Sequence, residues 1–119
     1  MVLLSKRYIF CGSLKYLKEM HKLAKRLGVT PVTLWGKDIY IKRRSKDFKE
    51  AYREHYKKID EHDGVIVYNL NGEIGCATTA EMTYALLRNK DIIFVFPKIP
   101  VDIQGLLLHL GKTPKFLSD

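Results

Sequence analysis

The sequence predicts an α/β protein built as three layers, with a doubly wound parallel sheet of four to five strands between two layers of helices. Short apolar runs alternate along the chain with segments whose apolar residues recur at helical spacing. The apolar runs end at Gly12, Gly36, Asn69 and Pro97, which are residue types that stop a strand. Strands that are apolar on both faces are typical of parallel sheets covered by helices on each side. A chain of 119 residues has room for one such domain, spanning 1–119.

The individual elements follow from local patterns. Apolar runs rich in β-branched and aromatic residues predict strands at 7–12, 29–35, 64–69 and 91–96. Apolar residues spaced three and four apart predict helices at 14–27, 45–61, 78–88 and 101–110. Gly28 stands in the usual position of a helix C-cap, and Pro31 near the start of the second strand is tolerated at a sheet edge.

The order of the strands determines where a ligand would bind. Right-handed crossovers favour the order 2-1-3-4, with a possible fifth strand, as in flavodoxin-like and Rossmann-like sheets. In such a sheet the order reverses between the first and third strands, and ligands bind there beyond the carboxyl ends. We therefore expect a binding site formed by the loops at 12–15 and 69–81.

The chain is strongly basic. Lys and Arg total 21 and Asp and Glu total 13, which gives a formal net charge of +8. This balance favours an anionic partner such as a nucleotide or nucleic acid, and a basic surface without a specific partner fits the composition equally well. No apolar stretch reaches the roughly 20 residues of a membrane span, and residues 1–7 do not resemble a secretory signal. The expected location is the cytoplasm, with no membrane contact.

The cysteines and histidines form no metal-binding pattern in the sequence. Cys11 and Cys76 are far apart, and none of the four histidines stands at a zinc-type spacing. We therefore expect neither a metal nor another cofactor. Because the two cysteines fall near the ends of adjacent predicted strands, we expect them to lie close together as reduced, buried thiols.

The segment 69–82, "NLNGEIGCATTAEM", joins the third strand to the third helix and holds a glutamate at the start of that helix. Thr78 and Glu81 fit the capping-box pattern, with threonine at the N-cap and glutamate three residues later. In this structural interpretation Gly72 and Gly75 are ordinary turn residues. The pattern alone favours it over a catalytic role for Glu81.

Five short stretches, taken together, resemble the nucleoside 2-deoxyribosyltransferase-like superfamily. They read "IFCGS" from Ile9, "DGVIV" from Asp63, "GCATTAE" from Gly75, "YA" from Tyr84 and "NK" from Asn89. The resemblance covers residues 8–96, and it implies that this chain is a divergent, short member of the superfamily. The superfamily includes transferases that exchange the bases of deoxynucleosides, and hydrolases that cut deoxynucleoside 5′-monophosphates into base and sugar phosphate.

The resemblance implies that Glu81 is the nucleophile that attacks the anomeric carbon of the sugar. Cleavage of an N-glycosidic bond builds positive charge on the sugar, which a carboxylate stabilises or captures covalently. A position near a helix N-terminus keeps that carboxylate ionised. The resemblance also implies substrate contacts in the second loop and a phosphate site in the first, at Ser13 and Lys15. A surface N-cap serine and a solvated lysine fit those two residues equally well. The expected substrate-binding residues are Gly12, Ser13, Lys15, Asn69, Asn71, Gly75 and Thr78.

The sequence departs from the family at two positions. His55 stands eight residues before Asp63, where characterised members carry a catalytic aspartate, and Gly75 replaces a polar residue six before Glu81. His55 is either a core residue in an apolar helical stripe or the proton donor to the leaving base. The basic run at 42–44 is either solvated surface or a lid over an anionic substrate.

Two functions of different classes therefore remain. The first is an N-glycosidase or nucleoside deoxyribosyltransferase in which His55, Glu81 and the turn at 12–13 converge on one cleft. The alternative is a non-catalytic module on the same fold that binds a nucleotide or nucleic acid. A small-molecule nucleoside or nucleotide is the favoured partner, and the resemblance implies a homodimer or a higher homo-oligomer.

Overall fold

The structure is a computed structural model that describes residues 7–31 and 45–117, with the backbone alone for 45–48. The strands are β1 (Tyr8–Gly12), β2 (Gly64–Tyr68), β3 (Asp91–Phe94) and β4 (Lys115–Phe116). The helices are α1 (Leu17–Leu27), α2 (Ser45–Asp60), α3 (Cys76–Leu87) and α4 (Val101–His109). Single 3-10 turns lie at Leu14–Tyr16 and Leu70–Gly72.

The four described strands form one parallel sheet, which confirms the predicted α/β class. Each of the three pairs is parallel, and one or more helices connect every strand to the next. Gly64, at the start of β2, faces Tyr8 of β1 and Asp91 of β3 in the register. A Cβ at Gly64 would lie 2.8 Å from the Cβ of Asp91 and overlap that residue's backbone oxygen. The close approach of the strands therefore requires glycine here.

The described sheet has the order β1-β2-β3-β4 and not 2-1-3-4, because these four strands do not include the predicted second strand. The predicted first, third and fourth strands are β1, β2 and β3, and they are neighbours as expected. Residues 32–35 of the predicted second strand, 29–35, lie outside the described residues, and in the described part Thr30 makes a bridge to Ile9. Thr30 exchanges hydrogen bonds with Tyr8 and Phe10, whereas Arg7 bonds towards β2. Since backbone groups alternate in direction along a strand, Thr30 lies on the edge of β1 opposite β2. The possible fifth strand of the prediction is β4.

Two apolar clusters cover the two faces of the sheet. On one face α1 packs with Met20, Ala24 and Leu27 against Phe10 and its neighbours. On the other face, α2, α3 and α4 contribute to one continuous cluster. It contains Ile59 of α2, Met82, Ala85 and Leu86 of α3, and Ile103 and Leu107 of α4. All five residues of β2 are buried, as expected for a central strand with helices on both faces. Within residues 7–31 and 45–117, no helix is both long enough and apolar enough to cross a membrane.

Candidate functional site

Three buried side chains from different elements meet at the carboxyl end of β1. Cys11 belongs to β1, His55 to α2 and Glu81 to α3. The Nε2 atom of His55 lies 3.2 Å from Oε2 of Glu81 and 3.5 Å from Sγ of Cys11. We call these three residues the Cys–His–Glu cluster. Glu81 and His55 thus come together as the sequence predicted, and Cys11, the residue before Gly12, joins them.

Helical spacing aims the cluster at the sheet. On α2, His55 precedes the fully buried Ile59 by four residues, so both side chains face the same core. On α3, the buried face holds Thr78, Glu81 and Ala85, which are again three and four apart. An ionisable carboxylate on such a face is unusual and is accommodated here because a histidine meets it.

The two site helices are also tied to each other. The ring of Tyr56 on α2 stacks on the ring of Tyr84 on α3, with centroids 4.2 Å apart and planes 6° from parallel. The hydroxyl of Tyr84 donates to Oδ2 of Asp60, at the end of α2, over 2.6 Å. These contacts hold α2 and α3 in a fixed register and so fix the positions of the cluster side chains that the helices carry.

The capping-box interpretation of Glu81 is wrong. α3 begins at Cys76, two residues earlier than predicted, with Gly75 as the N-cap. Glu81 therefore lies in the second turn, where its side chain cannot reach the N-cap backbone. The hydroxyl of Thr79 instead donates to the carbonyl of Gly75 over 2.9 Å. Because the helix starts earlier, the carboxylate is directed at His55 and not at its own helix end.

The electrostatics of the cluster keep Cys11 protonated. Burial raises the pKa of the Cys11 thiol well above its ordinary value, and the charge of Glu81 and a hydrogen bond to it raise the pKa further. The S–H group is therefore a donor to the carboxylate. Burial and the same carboxylate also raise the pKa of the Tyr56 hydroxyl, which lies within its field. About 10% of the Glu81 side chain is exposed, so the cluster is not completely enclosed.

The first loop is held by contacts within the protein. Ser13 accepts a hydrogen bond of 3.4 Å from the backbone of Lys15, and so caps the 3-10 turn. The ammonium group of Lys15 lies 2.6 Å from Oε1 of Glu73, and the Tyr16 hydroxyl donates to Oε2 over 2.9 Å. Gly12 has no room for a side chain, because a Cβ would lie 2.8 Å from Sδ of Met20. The two predicted binding loops therefore contact each other through Lys15 and Glu73.

The predicted binding residues of the second loop have different environments. Asn69 is fully buried, and both of its amide N–H groups donate within the protein, over 2.9 Å each, to the carbonyls of Phe96 and Lys98. Asn71 is exposed and has a left-handed backbone with φ 58°. Gly75 is exposed at the N-cap, and Thr78 is buried beside Glu81 on α3. Asn69 thus has no N–H group left for a substrate.

Three cavities among the described residues lie away from the Cys–His–Glu cluster. One is beside β3 and the loop before β4, one is along α2, and one is between α4 and β4. The predicted lid at 42–44 falls outside the described residues. Glu81 and His55 are packed against each other and line none of these three cavities, so none of the three is the expected cleft.

Both cysteines are free thiols, and they differ in exposure. Cys11 is buried as expected, whereas Cys76 is exposed and not buried. The expectation failed for Cys76 because it is the first residue of α3 and lies, like Ala77, on the exposed side of the first turn. Cys11 was missed as a site residue, since its partners lie on two other elements and sequence spacing carries no sign of that contact. Its position one residue before the end of β1, at the carboxyl edge, was the available signal.

Comparisons with protein-family models, with curated proteins and with solved structures found no match to this chain.

Proposed function

We propose that this protein cleaves or transfers at the N-glycosidic bond of a nucleoside or nucleoside 5′-monophosphate, with Glu81 as the nucleophile. The observation that carries the proposal is the environment of Glu81. Its carboxylate is free of any capping role, lies at the carboxyl edge of a parallel sheet, and is held by His55 at 3.2 Å, while about 10% of the side chain is exposed. Ligands of such sheets bind at that edge.

The chemistry follows from the position of the carboxylate. A Glu81 oxygen attacks C1′ of the sugar as the bond from C1′ to the base nitrogen breaks, and the leaving base takes up a proton from water. A second attack at C1′, by water or by another base, releases the sugar from Glu81. The nearly enclosed site strengthens the attraction between the carboxylate and the positive charge that develops on the sugar.

His55 is the positioning residue in this scheme. With its Nε2–H donated to Oε2 of Glu81, the ring fixes the carboxylate and leaves the other carboxylate oxygen to attack. The departure from the aspartate of the resembled family is consistent with this role, since an imidazole favours an ionised neighbour whereas a second carboxylate would oppose it. His55→Gln, whose amide also donates, retains part of the activity and changes its pH profile.

Lys15 supplies the preference for a phosphorylated substrate. Its ammonium group lies at the end of the first loop and is exposed, so it can exchange Glu73 for the 5′-phosphate. Lys15→Met is expected to raise KM for a nucleoside 5′-monophosphate and to leave KM for the matching nucleoside unchanged. Equal effects on both substrates contradict a phosphate contact.

The decisive experiment compares wild type with Glu81→Gln. Both proteins are incubated with a panel of nucleosides and their 5′-monophosphates, and free base is measured by liquid chromatography. Loss of the nucleophile is expected to lower kcat by about 10³-fold or more, with little change in substrate binding. Glu61→Gln, which alters an exposed glutamate beyond α2, is the matched control and keeps full activity.

Trapping the intermediate tests the nucleophile directly. A 2′-fluoro substituent should slow the release of the sugar from Glu81 more than it slows the attack by Glu81. The sugar should therefore remain on the peptide that contains Glu81, where mass spectrometry detects it. Full turnover by Glu81→Gln rejects the nucleophile. If no panel member yields free base with wild type, but nucleotides raise its Tm, the non-catalytic nucleotide-binding module takes the place of the enzyme.

A further inference from the structure

We infer that the Cys–His–Glu cluster is a binding site for a thiophilic divalent metal ion such as Zn²⁺. Ligand atoms of Cys11, His55 and Glu81 all lie within 4.8 Å of one another, and all three residues are buried. Thiolate, imidazole and carboxylate are the three ligand types that zinc takes from proteins. The inference concerns binding and is independent of the proposed function.

Two of the three distances within the cluster match a tetrahedral site, and the third, between Cys11 and Glu81, is at most 4.8 Å. With zinc about 2.3 Å from sulfur and about 2.0 Å from nitrogen and oxygen, tetrahedral angles separate sulfur from nitrogen by about 3.5 Å, and nitrogen from oxygen by about 3.3 Å. The corresponding distances here are 3.5 Å for Cys11 Sγ to His55 Nε2, and 3.2 Å for that nitrogen to Glu81 Oε2. A metal ion can therefore enter with little movement of the side chains.

The charge of the cluster also fits. On coordination the Cys11 thiol gives its proton to solvent, and the proton on Nε2 of His55 moves to Nδ1. A thiolate and the Glu81 carboxylate then supply two negative charges to the divalent ion, and the neutral His55 ring supplies none. The resulting site is neutral, which removes the main cost of burying ions. The part of Glu81 that remains exposed leaves a path for entry and for water as the fourth ligand.

Ligand type predicts which metals bind. A thiolate with an imidazole suits Zn²⁺ and Co²⁺, whereas Mg²⁺ and Ca²⁺ prefer sites built of oxygen. The metal also takes the carboxylate that the proposed function needs as a nucleophile. Zinc is therefore expected to inhibit base release, and a chelator to restore it. This consequence, unlike the binding, rests on the proposed function.

The experiment titrates Co²⁺ into tag-free, metal-stripped protein and follows the absorption band of thiolate-to-cobalt charge transfer. The band is expected in wild type and in the control Cys76→Ala, and it is expected to be absent in Cys11→Ala. Zn²⁺ should displace the cobalt and abolish the band, whereas Mg²⁺ and Ca²⁺ should not. Glu81→Gln keeps the thiol and should weaken cobalt binding by about tenfold or more.

Each outcome decides the inference. Absence of the band in wild type overturns it, as does a band that survives in Cys11→Ala and disappears in Cys76→Ala. If circular dichroism shows Cys11→Ala to be unfolded, unchanged cobalt binding by both Glu81→Gln and His55→Gln overturns it instead. Activity is measured separately. If the protein shows the band but never releases base, the metal site stands and the proposed function is rejected. If base release requires zinc, the role of Glu81 as nucleophile is rejected, whereas the metal site stands.

Discussion

Asn69→Ala tests whether this asparagine holds the fold together or binds substrate. Besides the two bonds donated by its amide nitrogen, its Oδ1 accepts a hydrogen bond of 2.9 Å from the backbone N–H of Phe96. All three bonds cross from the end of β2 to the segment between β3 and α4, and the side chain is fully buried. Alanine removes all three hydrogen bonds, so the backbone groups of Phe96 and Lys98 lose the Asn69 side chain as their partner.

The magnitude follows from those three bonds. At about 1 kcal/mol each, their loss should lower the free energy of unfolding by about 3 kcal/mol. For a chain of 119 residues, an unfolding entropy of about 2.1 cal/mol/K per residue converts this into a fall in Tm of about 12 °C. Asn71→Gly is the matched control, because Asn71 is exposed and glycine adopts its left-handed backbone without strain.

Urea denaturation and thermal melting followed by circular dichroism measure both variants, and KM for the best substrate is measured on the folded fraction. The expected result is a large loss of stability for Asn69→Ala, none for Asn71→Gly, and an unchanged KM for the former. A loss below about 1 kcal/mol together with a raised KM would refute the structural role. Asn69 would then be a substrate ligand, as the resemblance implied.

Four further outcomes are expected. A thiol reagent should modify Cys76 rapidly in the native protein and Cys11 only after unfolding, since burial keeps the latter a protonated thiol of raised pKa; two fast-reacting thiols counted by absorbance would contradict this. Gly64→Ala should destabilise the protein by about 3 kcal/mol or prevent folding, because its Cβ meets backbone. Gly75→Ala, with open space around the new Cβ, should cost at most about 1 kcal/mol by denaturation. Finally, hydrogen bonds from a lysine and a tyrosine hold the pKa of Glu73 below its ordinary range, so its contacts should persist as the pH falls through that range and break only below it, as followed by NMR of the carboxyl carbon.

The local pattern of the sequence was enough to predict the fold class and most of the elements. The strands at 8–12, 64–68 and 91–94 and the helix at 101–109 lie close to their predicted bounds, because strands buried on both faces and helices with one apolar face leave clear periodicities. The same logic placed the loops after β1 and β2 at one edge of the sheet. The resemblance to the nucleoside 2-deoxyribosyltransferase-like superfamily, and not periodicity, singled out Glu81 and His55.

Partners across the fold were decided by the tertiary structure alone. A glutamate early in a helix can cap that helix, bind a substrate or pair with a histidine. Because α3 begins at Cys76, Glu81 lies too far along the helix to cap it and pairs with His55. Asn69 became a buried clamp because the segment after β3 passes over it, which no pattern near residue 69 reveals. Cys11 joined the cluster because its neighbours His55 and Glu81 lie on two other elements, and this contact also depends on how the elements pack. Local periodicity specifies which face of an element is buried, whereas contacts between residues distant in sequence depend on how the elements pack.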